Sequence, residues 1–139
     1  MTTMEDFKRM RDELNKKITD EGKAALQTAF VAFFNDNPNI HALRWRQYTP
    51  HFNDGEACTF GVYEPDYQLT EHAKTYDDAT DFADDEDFID AWQSDEIGAR
   101  VSAFWNATSD DDVFEVVFGD HVTVLATREG FTVAEYSHD

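Results

Sequence analysis

The sequence predicts an α+β domain: a single antiparallel sheet of four to five strands, made from two β-hairpins, with N-terminal and central helices packed on it. Three observations carry this expectation. Apolar residues recur at helical spacing through the first 34 positions, alternate with a period of two over 40–63 and 122–136, and return to helical spacing between those alternating stretches. At 139 residues the chain fits one domain, 1–139, and a chain of that length buries about 70% of the surface it exposes when unfolded. Twelve Phe residues supply the apolar bulk for such a core, which a disordered acidic chain lacks.

The elements follow in order. Met4, Phe7, Met10, Leu14 and Ile18 fall on one helical face, with Thr2 or Thr3 as N-cap and Glu5 and Asp6 in the first turn. Residues 24–34 continue with Leu26, Ala29, Phe30, Phe33 and Phe34 on one side, until Asn35-Asp-Asn-Pro38 ends the run. Gly22 either breaks the two stretches into a helical hairpin or weakens a single long helix. Ile40, Ala42, Arg44, Arg46 and Tyr48 alternate with His41, Leu43, Trp45 and Gln47, a strand that ends before Pro50. Phe52-Asn-Asp-Gly55 is a turn signal, and 57–63 returns as a second strand with Cys58, Phe60 and Val62 on one face, which closes the first hairpin. Residues 67–74 read as a weaker strand or a loop. Residues 84–92 read as a helix, with Phe88 and Trp92 at i and i+4 and acid near the N-terminus. Residues 97–105 extend that helix or form another. Ser109 is the expected cap of a short helix through Val113, Phe114, Val117 and Phe118, which Gly119 ends. Val122, Val124 and Ala126, the Glu129-Gly130 turn, and Phe131, Val133 and Glu135 make the second hairpin.

Charge is distributed unevenly. Residues 1–50 carry eight Lys and Arg against seven Asp and Glu, whereas 51–139 carry three against twenty-three, so nearly all of the net −19 lies in the second part. An acidic field of this kind concentrates cationic partners and repels nucleic acid and membrane surfaces. The lone Cys58 excludes an intramolecular disulfide, no apolar run approaches a bilayer span, and the first residues do not read as a signal peptide; a cytoplasmic location is expected.

The first candidate site is the acidic tract Asp77, Asp78, Asp81, Asp84, Asp85, Glu86, Asp87, Asp90, Asp95 and Glu96, which contains no Lys or Arg. Duplex DNA carries one charge about every 1.7 Å of axis. A helix with carboxylates at one position in two, rising about 1.5 Å per residue, approaches that density. A rigid tract would then meet Lys and Arg groups already arranged for phosphates. The plainer account is a solvated face that maintains solubility. The second candidate is a ligand site around Arg44, Trp45, Arg46, Tyr48, His51, Asn53 and Asp54, where two Arg beside aromatic groups suit a nucleotide. Its plainer account has Arg44 and Arg46 pairing with acid in cis and Trp45 filling the core.

Catalytic and metal motifs are not found. The five His residues show no metal spacing, no Gly-rich phosphate loop is present, and the tract lacks the Gly of a calcium-binding loop. No cofactor and no catalysis are expected. Crowded carboxylates also predict raised pKa values on average, and hence stability that increases from pH 7 towards about 5.

The run Trp45-Arg-Gln-Tyr-Thr-Pro-His-Phe-Asn-Asp-Gly55 with Cys58-Thr-Phe60, and the ending from Phe118-Gly-Asp120 through Glu129-Gly130 to Tyr136-Ser-His-Asp139, resembles a family of small acidic proteins of bacteriophages and bacteria. The resemblance implies a phage or mobile-element setting, in which such proteins block host factors, and transfers no catalytic residue. The expected function is a non-enzymatic inhibitor or modulator that mimics nucleic-acid charge towards a basic DNA- or RNA-binding protein. The alternatives are a nucleotide-sequestering protein and a virion or assembly component. The aromatic excess leaves room for a homodimer interface.

Overall fold

The computed structural model describes residues 3–49, 60–74, 76, 81–91 and 95–135. Three helices and one antiparallel sheet make an α+β fold. Helix α1 spans Met4–Asp36 as a single element, about 50 Å long at 1.5 Å per residue. Thr3 is its N-cap, and its hydroxyl accepts from the Asp6 amide while the Asp6 carboxylate accepts from the Thr3 amide. Gly22 therefore does not break the helix. It faces Val113 and Val117 of the third helix, at a distance that leaves room for a methyl group in ordinary contact.

Strand β1, Ile40–Tyr48, is central. One edge pairs with β5, Val122–Thr127, and the other with β2, Gly61–Val62, and β3, Asp66–Leu69. The remaining strands are β4, Ile89–Asp90, and β6, Gly130–Glu135, giving the order β4-β3-β1-β5-β6 with β2 beside β1. The stretches expected as a hairpin return and a weak strand prove to be one edge interrupted at 63–65: Val62 opposes Gln47, yet Asp66 opposes Arg44, one residue out of step. Pro65 cannot donate to the ladder, so the slip occurs where pairing is already lost. The expected turn at 52–55 and the residues at 57–59 lie outside the described residues.

Helix α2 spans Glu96–Thr108 and α3 spans Asp111–Phe118. Asp95 caps α2, and Asp110, not Ser109, caps α3 by accepting from the Val113 amide; Ser109 instead ends α2, with its amide on the Trp105 carbonyl. Gly119 ends α3 with a φ of 97°, a value that disfavours a side chain. The C-terminal hairpin forms where it is expected, but Thr127 opposes Gly130 and Val124 opposes Val133, so its turn is Arg128-Glu129 and not Glu129-Gly130.

The helix expected over 84–92 is absent. A 3-10 turn, Asp81–Asp84, is followed by β4, which places Asp90 opposite Asp66 and Ile89 opposite Tyr67. Asp is a poor former of helix interiors, and carboxylates at 81, 84, 85 and 87 would repel one another at i, i+3 and i+4. Trp92 lies outside the described residues.

The sheet is covered on both faces. Leu43 and Trp45 of β1, with Val122, Val124 and Ala126 of β5, meet Leu26, Phe30, Phe33, Phe34, Trp105, Phe114 and Phe118 from the helices. Trp45 lies at the centre, its ring 4.9 Å from Trp105, 5.7 Å from Phe30 and 5.6 Å from Phe114. On the other face Ala42, Leu125 and Ala134 are covered by Phe82, with Tyr76 and Phe88 beside it. Among the described residues, no helix is long and apolar enough to cross a membrane.

Candidate functional site

The acidic segment is the second cover of the sheet, and β1 holds it there. Arg44 reaches out from the face opposite the helices. Its guanidinium donates to the carbonyls of Phe82 at 2.9 Å and Asp85 at 2.8 Å, pairs with the Asp66 carboxylate at 2.9 Å, and lies 4.1 Å from the Phe88 ring centre. Its cation is thus engaged in cis, as the plainer account of the basic island has it. Trp45 is core, and its indole N–H donates to the Gln47 side-chain oxygen at 2.9 Å.

Within the tract the carboxylates have unlike roles. Asp85 is 6% exposed at its side chain and accepts from the Tyr76 hydroxyl at 2.6 Å, the Asp87 amide at 2.9 Å and the Lys74 ammonium at 3.0 Å. Burial on its own would raise the Asp85 pKa, but those three donors outweigh it and hold the carboxyl down at about 2. Burial, and then the bond to Asp85, push Tyr76 up to about 12. Lys74 also pairs with Asp87, and its hydrogen bonds to Asp87 and Asp85 raise its pKa. Asp95 is drawn down by the Gly98 amide it caps and next by the Tyr67 hydroxyl at 2.9 Å. Glu96 pairs with Arg100 at 2.7 Å. Glu86 and Asp90 are exposed. Asp77 and Asp78 lie outside the described residues, as do the side chains of Asp81 and Asp84.

The expected display of the tract's middle on a helix over 84–92 is therefore corrected. Asp85, Asp87, Asp95 and Glu96 bond within the chain, and of the described tract Glu86, Asp87, Asp90, Asp95 and Glu96 are exposed. The expectation of raised carboxylate pKa values is corrected as well. Asp85, Asp95, Asp120 and Glu129 are lowered and Glu64 is raised, because the first four accept local hydrogen bonds while burial and then Asp90 act on Glu64. Further exposed acid lies on the first turn of α3, at Asp110, Asp111 and Asp112, and at Glu115. Reading the tract alone passed over these groups, although their unbroken run was visible before the short helix.

The second candidate converges in part. Arg44, Trp45, Arg46 and Tyr48 line a cleft of about 220 Å³ with Tyr63, Glu64 and Asp66. Tyr48 stacks on Tyr63, with ring centres 4.5 Å apart and planes at 20°. Two carboxylates thus face the two guanidinium groups, which weakens the cleft for an anion. His51, Asn53 and Asp54 lie outside the described residues. Tyr63, Glu64 and Asp66 were not singled out from the sequence; the antiparallel return after β1 is the signal that places them beside it. Among the described residues, no group of three or more His, Cys, Asp and Glu could hold a metal ion.

Comparison with family models, curated proteins and solved structures gives no match to this chain.

Proposed function

We propose that the chain is a non-enzymatic acidic binding protein whose partner is a basic protein surface, of the kind that binds DNA or RNA. One observation carries this reading. Beyond residue 50 the bases are Lys74, Arg100 and Arg128, and each is engaged within the chain, Lys74 with Asp85 and Asp87, Arg100 with Glu96, and Arg128 with the Phe34 carbonyl. The exposed Glu86, Asp90, Asp111, Asp112 and Glu115 stand in a field that these bases do not balance. The acid is presented at the 85–90 segment and at the first turns of α2 and α3, not along one helix. That distribution suits a basic surface of some breadth better than a single groove. In the phage or mobile-element setting that the resemblance implies, occupying such a surface would block a host factor.

The test is capture of purified nucleic-acid-binding proteins on the immobilised chain. Retention is expected at low salt, with release as the Debye length contracts from about 10 Å at 0.1 M to about 3 Å at 1 M. Glu86→Gln combined with Asp112→Asn should reduce it. No retention at low salt removes the proposal.

The nucleotide reading rests on the cleft that joins Arg44, Arg46, Tyr48 and Tyr63. Thermal shift against a nucleotide panel separates it from the first reading, and a shift that Arg46→Ala leaves unchanged rules this cleft out.

A further inference from the structure

The first half of α1 stands clear of the domain. All residues from 7 to 17 are exposed, burial along α1 begins at Ile18 and Thr19, and Gly22 faces Val113 and Val117. Yet this half carries large apolar side chains on one face: Met4 is 69% exposed, Phe7 59%, Met10 60% and Leu14 58%, with the half-buried Ile18 next in line. The stripe runs on through Ile18 towards Gly22, where α1 meets the third helix, but its centre lies away from the most deeply buried face. At about 100° per residue it is turned by roughly 115° from the face that carries Leu26, Phe30 and Phe33. It is thus a second apolar surface, of the type that marks an interaction site.

Charge identifies the occupant. Residues 5–23 hold six acids and six bases, so the whole net charge of −19 resides elsewhere in the chain. A basic partner would find no excess of acid here, and an anionic membrane no excess of base. A second copy, which the strongly negative body would otherwise repel, meets no net repulsion at this segment.

The pattern is also self-complementary. The stripe is nearly palindromic about the Met10–Arg11 step, so reversing one helix sets Phe7 beside Leu14 and Met4 near Ile18. The same reversal brings Glu5 and Asp6 towards Lys16 and Lys17 of the second copy, and Lys8 and Arg9 towards Asp12 and Glu13. Antiparallel order also carries the two acidic bodies to opposite ends of the pair.

We propose that residues 4–18 of α1 pair antiparallel with the same segment of a second copy to form a reversible homodimer. The proposal is independent of the acidic-partner reading. Two stripes of this length bury less than the roughly 1,200 Å² of a standard interface, so dissociation in the micromolar range is expected.

Sedimentation of the full chain from about 1 µM to about 1 mM should show a monomer–dimer equilibrium. Phe7→Lys with Leu14→Lys should raise the dissociation constant by more than about tenfold, with the melting temperature retained because both side chains are more than half exposed. A wild-type chain that stays monomeric throughout, or a double variant that pairs as before, overturns the proposal. Direction is read by disulfide formation in a Cys58→Ser background. Chains with Phe7→Cys should link to chains with Leu14→Cys and neither should link to itself; self-linking of Phe7→Cys, or no link, overturns the antiparallel arrangement.

Discussion

Gln47 shows how much a single side chain can settle. It is buried, and its amide ties β1 to α3 and the cap of that helix: it accepts from Trp45 Nε1 and donates to the carbonyls of Phe114 at 2.9 Å and Gly119 at 2.7 Å. Gln47→Ala would strand one donor and two acceptors in the interior. A loss of about 2–4 kcal/mol is expected by urea denaturation, near the upper end for one substitution; a loss under about 1 kcal/mol would show that water replaces the amide. In sequence, Gln47 is in phase with Leu43 and Trp45, which places it on the core face, but no local signal names the carbonyls it bonds. Asp85 is the charged counterpart. Its folded pKa of about 2 lies below the ordinary 3.8, so the stability it contributes is complete above about pH 4 and is lost as pH falls towards 2. The melting temperature should therefore hold between pH 7 and 5 and drop below 4, and Asp85→Asn should flatten that drop and remove roughly 2 kcal/mol at pH 7. A maximum near pH 5 would restore the crowded-carboxylate expectation.

At the scale of elements, helices and strands with strong periodicity were legible and weakly patterned ones were not. The C-terminal hairpin and β1 occur where the alternation put them, because their side chains sort between two environments on opposite faces. The helix expected over 84–92 does not form, since the spacing of Phe88 and Trp92 suits a helix while the like charges do not. The outcome depended on Arg44, almost 40 residues earlier, gathering its carbonyls. Gly22 is a second case. One helix persists across it, and a side chain added there would meet Val113 and Val117 at 3.5 Å, an ordinary contact distance. Gly22→Ala should raise stability by about 0.5–1 kcal/mol through the lower entropy of the unfolded chain. A destabilised variant would mean that α1 and α3 pack more tightly at this crossing than the contact distance allows.

For the molecule as a whole, net charge sets the response to salt. A body with this excess of acid repels itself when folded, and screening relieves that strain. The melting temperature should therefore increase between about 0.01 M and 0.5 M sodium chloride, whereas capture of a basic partner should weaken over the same range. Opposite signs in the two measurements separate self-repulsion from recognition; a melting temperature that falls with salt would show that internal ion pairs such as Arg44 with Asp66 outweigh the repulsion.

The sequence by itself determined the α+β class, the two hairpins, the long amphipathic N-terminus and the uneven charge, because periodicity and composition act locally and sum along the chain. Tertiary structure alone decided which carboxylates are structural and which face outward, since that depends on Lys74, Tyr76 and Arg44 arriving from other elements. It also decided that the first half of α1 stays uncovered. An apolar stripe reads the same whether its partner lies in the same chain or in another, and only the packing of the body shows that no element of the described fold reaches it.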